Sequence, residues 1–197
     1  MDNVLSTPVE ALRYGTEIVS AVMKPHGFVF EFRDEGLGSG GHFAWGEFVR
    51  RDRRLELHYR RSLGLVRYHF GPQHVSHEGF MREIGALGQN RYPGYSHDPL
   101  DGFRDLTHDL QFATDFLTGS GAVLRAAALS EARAAAETSN TLMAGYAGDT
   151  RDIEHMHRLF RQGEYGRVLA LFERLRFPER LTEAQLRLVD IARARFR

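Results

Sequence analysis

Four consecutive runs between residues 28 and 70 alternate apolar and polar side chains, and this alternation constrains the fold more than any other feature. A period of two is typical of strands that bury one face. In "LELHYRRSLGLVRYHF", Leu55, Leu57 and Tyr59 share one face, and His58 lies on the other. The loops between the runs are too short for a crossover helix, so the strands are predicted to pair as a mainly antiparallel sheet.

A helix is predicted directly before this sheet. Thr7, Pro8 and Glu10 have the capping-box pattern with proline at the first helical position. An apolar stripe at helical spacing follows, and Pro25 with Gly27 ends it. The prediction is therefore an α+β fold: an N-terminal helix on a four-stranded, mainly antiparallel sheet, followed by a C-terminal helical section.

Helical patterns return after the sheet and continue along the chain. Ser76 is expected to cap a short helix, and Asp98 to cap the helix that starts at Pro99. An alanine-rich segment then predicts a long helix, with a hinge at "GYAGDT" after it. The predicted domains are an α+β domain at 1–119 and a helical section at 120–197.

The last segment, residues 151–197, has the spacing of a known helical hairpin. The matching positions are Gly163, Tyr165, Phe172 and Pro178. Val168 departs from the pattern, which prefers alanine there. The segment resembles one unit of the tetratricopeptide family, and this resemblance implies a helical hairpin of a partner-binding type.

The composition excludes several kinds of protein. The chain has no cysteine, which excludes disulfides, thiolate metal sites and cysteine catalysis. Its formal charge of zero argues against nucleic acid or an anionic membrane as a partner of the whole molecule. The N-terminal residues lack a signal-peptide pattern, and the chain has no long apolar run. A soluble cytoplasmic protein without a membrane partner is therefore expected.

Motifs for known catalytic sites are missing. The glycines of "EGLGSGGHF" have dinucleotide-loop spacing, but that fingerprint needs a helix directly after the glycines, and the next residues alternate like a strand. A hairpin loop is expected instead. The G-x-S-x-G elbow, the phosphate-binding Walker loop and H-E-x-x-H are absent, so no cofactor and no catalytic residue is predicted.

Three strand histidines are the candidate metal ligands: His42, His58 and His69. An all-histidine set with an open coordination position suits hydrolytic zinc or a non-haem iron variant, with Glu47 or Glu56 as an acid–base group. This requires the strands to bring all three to one face. A one-residue slip in register sends a side chain to the opposite face, so structural or surface roles stay open for them.

Two oppositely charged segments are candidate partner-binding surfaces. The acidic one is a helix face with an aromatic anchor: Asp101, Asp105, His108 and Phe112. The basic one is the strand segment with Arg51, Arg53, Arg54 and Arg60. Arginines interleaved with aromatic residues also occur on sheets that bind single-stranded nucleic acid, but the zero net charge argues against that partner.

In the absence of a catalytic constellation, the sequence favours a non-enzymatic protein of a bacterial cytoplasm. It is expected to bind another protein or a second copy of itself. The helix and sheet loosely resemble small bacterial domains that include immunity proteins of toxin systems, which implies an immunity-like or regulatory role. The alternative is a small metal-dependent hydrolase that uses the strand histidines.

Overall fold

The computed structural model describes residues 7–94 and 97–196. The chain forms two compact units, Met1–Arg133 and Ala134–Arg197. The predicted domain boundary after residue 119 stays a prediction. None of the helices among the described residues is long and apolar enough to cross a membrane.

The first helix, α1, spans Pro8–Met23 and confirms the predicted start. Thr7 Oγ1 accepts from the Glu10 backbone N–H at 3.2 Å, and the Thr7 N–H donates to the Glu10 carboxylate at 3.1 Å. A short 3₁₀ turn, Lys24–His26, continues from α1. Gly27 ends it in the left-handed region with φ 80°, a conformation that glycine adopts without steric cost.

An antiparallel sheet of five strands follows, in the spatial order β1-β2-β3-β4-β5. The strands are β1 (Val29–Gly38), β2 (Gly41–Arg50), β3 (Arg53–Tyr59), β4 (Leu63–Phe70) and β5 (Gln73–Ser76). The four predicted strands and their antiparallel pairing are confirmed. The fifth strand was not predicted, because its four residues are too short to show a clear alternation.

The remaining helices continue the order given by the sequence. They are α2 (His77–Glu83), α3 (Asp101–Asp109), α4 (Thr114–Leu117), α5 (Ala122–Arg161), α6 (Tyr165–Phe172) and α7 (Glu183–Phe196). Ser76 caps α2 as predicted, by accepting from the Gly79 N–H at 3.0 Å. The predicted start of α3 at Pro99 is wrong: Asp98 accepts from the Leu100 N–H at 2.8 Å in the turn before α3.

The first unit buries one face of the sheet against its helices. Leu55 and Leu57 of β3 are fully buried in a cluster that also contains Leu12 of α1, Phe80 of α2 and Phe103 of α3. The same cluster includes side chains of α4 and of the first turns of α5. These helices therefore pack on one face of the sheet.

The second unit has its own core. It is formed by side chains from the end of α5, from α6 and from α7: Met156, Leu159, Val168, Leu171, Val189 and Ala192. Val168 is fully buried there, although the tetratricopeptide pattern prefers alanine at this position. The tetratricopeptide resemblance of residues 151–197 stays a prediction.

The predicted hinge at "GYAGDT" is wrong, because these residues lie inside α5, a continuous helix of 40 residues. Contacts with Arg176 and Phe177 explain why Gly145 and Asp149 occur in this helix. A Cβ on Gly145 would lie 2.9 Å from the Phe177 ring, so glycine permits close approach. Asp149 accepts from the N–H groups of Arg176 and Phe177 at 3.1 and 2.8 Å.

Candidate functional site

The sheet face that points away from the helix-packed core carries a network of charged side chains, which we call the polar face. Its charged and neighbouring residues include Glu31, Arg33, Trp45, Glu47, Arg54, Glu56, His58, Leu65, Arg67, His69 and His74. The strand alternation sends them to this side, since their neighbours in β2 to β4 are the buried core residues. Register places Glu47 directly opposite Glu56.

Glu47 is the most buried carboxylate of the polar face, with only 4% of its side chain exposed. It accepts from Arg33 Nε at 2.8 Å and from Arg54 Nη1 at 3.1 Å. A buried carboxylate is costly unless its charge is compensated, and here two guanidinium groups compensate it. Glu47 therefore holds Arg33 and Arg54 in place over the sheet.

Glu56 connects the two histidines of β3 and β4. Its carboxylate accepts from His58 Nε2 at 2.6 Å and from His69 Nε2 at 2.7 Å. Burial opposes its ionisation, but the hydrogen bonds from His69 and His58 outweigh burial, and the pKa of Glu56 lies below its usual value. The His58 ring also stacks on Trp45, with the ring centroids 5.1 Å apart and 13° between planes.

Arg54 connects the two carboxylate groups into one network. It donates to Glu47 through Nη1 and to His69 Nδ1 through Nη2 at 3.3 Å. His69 Nε2 donates to Glu56, so Nδ1 is left as the acceptor of a neutral imidazole. Burial and then the Arg54 charge lower the pKa of His69, although Glu56 opposes them.

This geometry predicts that His69 makes the protein less stable in mild acid. The folded pKa of His69 lies below its ordinary value of 6.5, so the unfolded chain binds the proton first as the pH falls. The free energy of unfolding should therefore decrease below about pH 6.5 and stop decreasing once the folded form is protonated as well. Urea unfolding of His69→Gln should show a flatter pH profile, because the amide keeps a donor but does not titrate.

His42→Gln is the matched control, since His42 is exposed at the start of β2. Its pH profile should follow that of the unchanged protein. A His69→Gln profile as steep as that of the unchanged protein would contradict the assigned cause.

Three guanidinium groups of the polar face lie at its surface, and the carboxylates of Glu47 and Glu56 lie beneath them. Glu31 on β1 is an exception, since its side chain is 45% exposed and pairs with Arg33 Nη2 at 2.7 Å. The side chains of Arg33, Arg54 and Arg67 are 37%, 39% and 35% exposed, whereas those of Glu47 and Glu56 are 4% and 13% exposed. Each guanidinium group has more N–H groups than one carboxylate contact occupies. The outer layer therefore offers donors, and beside them lies the Trp45 ring, which is partly exposed.

Comparison with known proteins finds no relative for this chain. No family model, curated protein or solved structure matches it.

The structure brings together two of the three predicted metal ligands. His58 and His69 share Glu56, but His42 belongs to the set of β2 positions that includes the core residues Ala44 and Phe48. His42 therefore does not converge with the other two. Another trio does: ligand atoms of Glu47, Glu56 and His69 all lie within 4.8 Å of one another.

The predicted basic surface is divided among four environments. Arg54 belongs to the polar face, whereas Arg53, one position earlier, is buried on the core side. Arg53 donates to the Asp115 carbonyl at 3.0 Å and also to the carbonyls of Phe116 and Gly119. Arg51 lies in the β2–β3 turn, at one end of β3. Arg60 lies beyond the other end of β3, close to Gly40 of the β1–β2 hairpin.

The predicted acidic surface is only partly available for a partner. Asp101 pairs with Arg104, and His108 donates to the buried Asp109 at 2.9 Å. Phe112 is not a free anchor, because it packs against the core of the first unit. Asp105 remains as a half-exposed carboxylate, and burial followed by the neighbouring Asp101 and Asp109 charges raises its pKa.

Two groups of residues were not among the predicted site residues. Arg33 and Arg67 join the polar face, and strand alternation alone was a sufficient signal for both. The second group is a buried chain in which the Tyr68 hydroxyl donates to His77 Nδ1 at 2.9 Å and His77 Nε2 donates to Asp109 at 3.0 Å. The sequence predicted only a polar helix-end role for His77, because Asp109 is 32 residues away in the chain.

Proposed function

We propose that this protein is a non-enzymatic binding protein that docks an acidic patch of another protein on the polar face. The observation that carries the proposal is the layered charge. Guanidinium groups of Arg33, Arg54 and Arg67 lie outermost, and the carboxylates of Glu47 and Glu56 that they contact are covered, while Arg33 also pairs with the exposed Glu31. Carboxylates on a partner complement this outer layer, because guanidinium forks bind them in a bidentate manner.

Two further properties support binding through this face. The core cluster contains residues from every described helix of the first unit, and these helices lie on the opposite face. The polar face also carries Trp45, stacked on His58. Tryptophan and arginine are enriched in protein interfaces, and they contribute most where the partner excludes water around them.

The acid–base groups of the polar face are engaged with one another. Glu56 accepts from both histidines, and His69 uses both ring nitrogens for Glu56 and Arg54. A general base needs a lone pair directed at a substrate proton, and these hydrogen bonds occupy lone pairs of Glu56 and His69. This favours a binding role over catalysis.

A photo-crosslinking amino acid at position 65, where Leu65 lies on the polar face, provides the test. Irradiation in an extract of cells that express the protein should attach a discrete partner. Trp45→Ala and Arg67→Glu should each weaken capture of that partner about tenfold, since one removes an aromatic anchor and the other reverses an outer charge.

The control is Arg13→Glu, an equal charge reversal at an exposed position of α1. It should leave capture unchanged. Equal capture by Arg67→Glu and Arg13→Glu would contradict the proposal, and so would a partner whose crosslinked peptide is basic.

Metal-dependent hydrolysis is the second candidate function, and one observation favours it. Glu47, Glu56 and His69 place their ligand atoms within 4.8 Å of one another, and two carboxylates with one imidazole suit a divalent cation. Arg54 contacts both Glu47 and His69, so a metal ion would have to displace its guanidinium group.

Metal analysis separates this second function from the first. After incubation with Zn²⁺ or Mn²⁺ and desalting, a metal centre predicts about one ion per chain. The ion should be lost in His69→Ala and kept in His42→Ala, because only His69 belongs to the trio. Metal content that His69→Ala leaves unchanged would rule out this centre.

A further inference from the structure

The β2–β3 turn borders a cavity of about 830 Å³. Its lining includes His26, Arg50, Arg51, Asp52, Arg53 and Thr118. Arg54, the next residue along β3, belongs to the opposite face of the sheet. The cavity is therefore distinct from the polar face, and an inference about it goes beyond the proposed function.

The cavity has an excess of positive charge. Three guanidinium groups and one carboxylate line it, which leaves two positive charges without a counter-charge. Arg50, Arg51 and Arg53 form no ion pair with any residue in 7–94 or 97–196. Burial, followed by the charges of Arg53 and Arg51, lowers the pKa of Arg50. An anion in the cavity would relieve this repulsion.

The guanidinium groups of Arg50 and Arg53 are held in place before any ligand arrives, and at Arg51 the backbone has an unusual conformation. Arg53 is buried and donates to backbone carbonyls around α4. Arg50 donates to the His26 carbonyl at 2.8 Å and lies 4.7 Å from the centre of the Phe28 ring. Arg51 has φ 53°, a left-handed conformation that is uncommon for residues other than glycine, asparagine and aspartate. Fixed donors lose little entropy when they bind a ligand.

We propose that this cavity binds the phosphate group of a small phosphorylated molecule through Arg50 and Arg51, with Arg53 as a fixed charge behind them. A phosphate monoester carries about −1.5 to −2 charges at pH 7, which matches the excess of the cavity better than a single carboxylate does. Arginine forks fit phosphate oxygens in a bidentate manner. The cavity also falls within the usual size range of small-molecule sites, so it has room for more than the phosphate itself.

Calorimetric titration of the full chain with pyrophosphate, at constant ionic strength, tests the proposal. The unchanged protein should bind it, and Arg51→Gln should bind it about tenfold more weakly, since a charged donor pair is lost. Arg61→Gln is the control: Arg61 is also an exposed arginine in a hairpin turn, but it lies at the β3–β4 turn and should leave affinity unchanged.

Two results would overturn the proposal. One is that Arg51→Gln leaves the affinity for pyrophosphate unchanged, or that chloride at equal ionic strength gives the same heat of titration. The other is Arg51-dependent binding of a single-stranded DNA oligonucleotide without binding of pyrophosphate, which would assign the cavity to a nucleic-acid backbone. Arg51 is exposed, so Arg51→Gln is expected to fold and both results can be read.

Discussion

Asp109→Asn is expected to lower the free energy of unfolding by about 3 kcal/mol, because it breaks the hydrogen-bond network around a fully buried carboxylate. Asp109 accepts from His77 Nε2 at 3.0 Å and from His108 Nδ1 at 2.9 Å. It also accepts from the backbone N–H groups of Arg91 and Tyr92 at 2.8 and 2.9 Å. An asparagine amide would turn one of these acceptors into a donor that faces other donors.

The charge of Asp109 adds a dependence on pH. Burial opposes its ionisation, but hydrogen bonds from His77, His108 and two backbone N–H groups outweigh burial, so the pKa of Asp109 is lower than usual. A carboxyl group with a lowered folded pKa stabilises the protein above its unfolded pKa, and this contribution is lost as the pH falls through the folded value. The stability difference between the unchanged protein and Asp109→Asn should therefore shrink in acid.

Asp105→Asn is a matched control on the same helix. Asp105 forms no ion pair with a described residue, and its pKa is raised rather than lowered. Its substitution should change the unfolding free energy by less than about 0.5 kcal/mol, as is usual away from buried networks. Urea unfolding followed by Trp45 fluorescence measures both variants. Equal losses in the two would contradict a network role for Asp109.

Gly15→Ala is expected to destabilise the protein by about 2 kcal/mol, even though alanine is the better helix former. Gly15 lies in the middle of α1, against α3. A Cβ at this position would lie 2.3 Å from two ring atoms of Phe103, and that ring is fully buried. The ring has no free space to move into, so α1 and α3 would have to separate.

Gly148→Ala, in α5, is the control with the opposite expected sign. A Cβ there meets no heavy atom within 4 Å, so the gain of about 0.5–1 kcal/mol from helix propensity should remain. Thermal unfolding followed by circular dichroism compares the two variants. A stabilised Gly15→Ala variant would contradict the close packing of α1 on α3.

Local signals were sufficient for much of the fold. The capping box of Thr7 and Glu10 predicted the start of α1, because both partners lie within one helical turn. The alternation around Leu55 and Leu57 predicted strands and the face that each side chain occupies, because successive strand residues point to opposite sides. Ser76 predicted the start of α2 for the same local reason as Thr7.

Signals that depend on distant residues misled the prediction or were not visible. The glycines of "GYAGDT" predicted a hinge, but Gly145 lets the Phe177 ring pack close to the α5 backbone, and Phe177 lies 32 positions further along the chain. The arginines looked like one basic surface in the sequence. The alternation of β3 sends Arg53 into the core and Arg54 to the polar face, and what each arginine contacts there depends on the elements packed around it.

The sequence by itself determined most of the elements and the side of the sheet on which the strand side chains lie, since both follow from backbone geometry over a few residues. Only the tertiary structure decided which side chains meet. Strand register placed Glu47 opposite Glu56 and brought His69 to Glu56, while His42 remained with the core-side positions of β2. Register is set by the buried faces of neighbouring strands together and by the geometry of the turns between them, and a single strand does not contain that information.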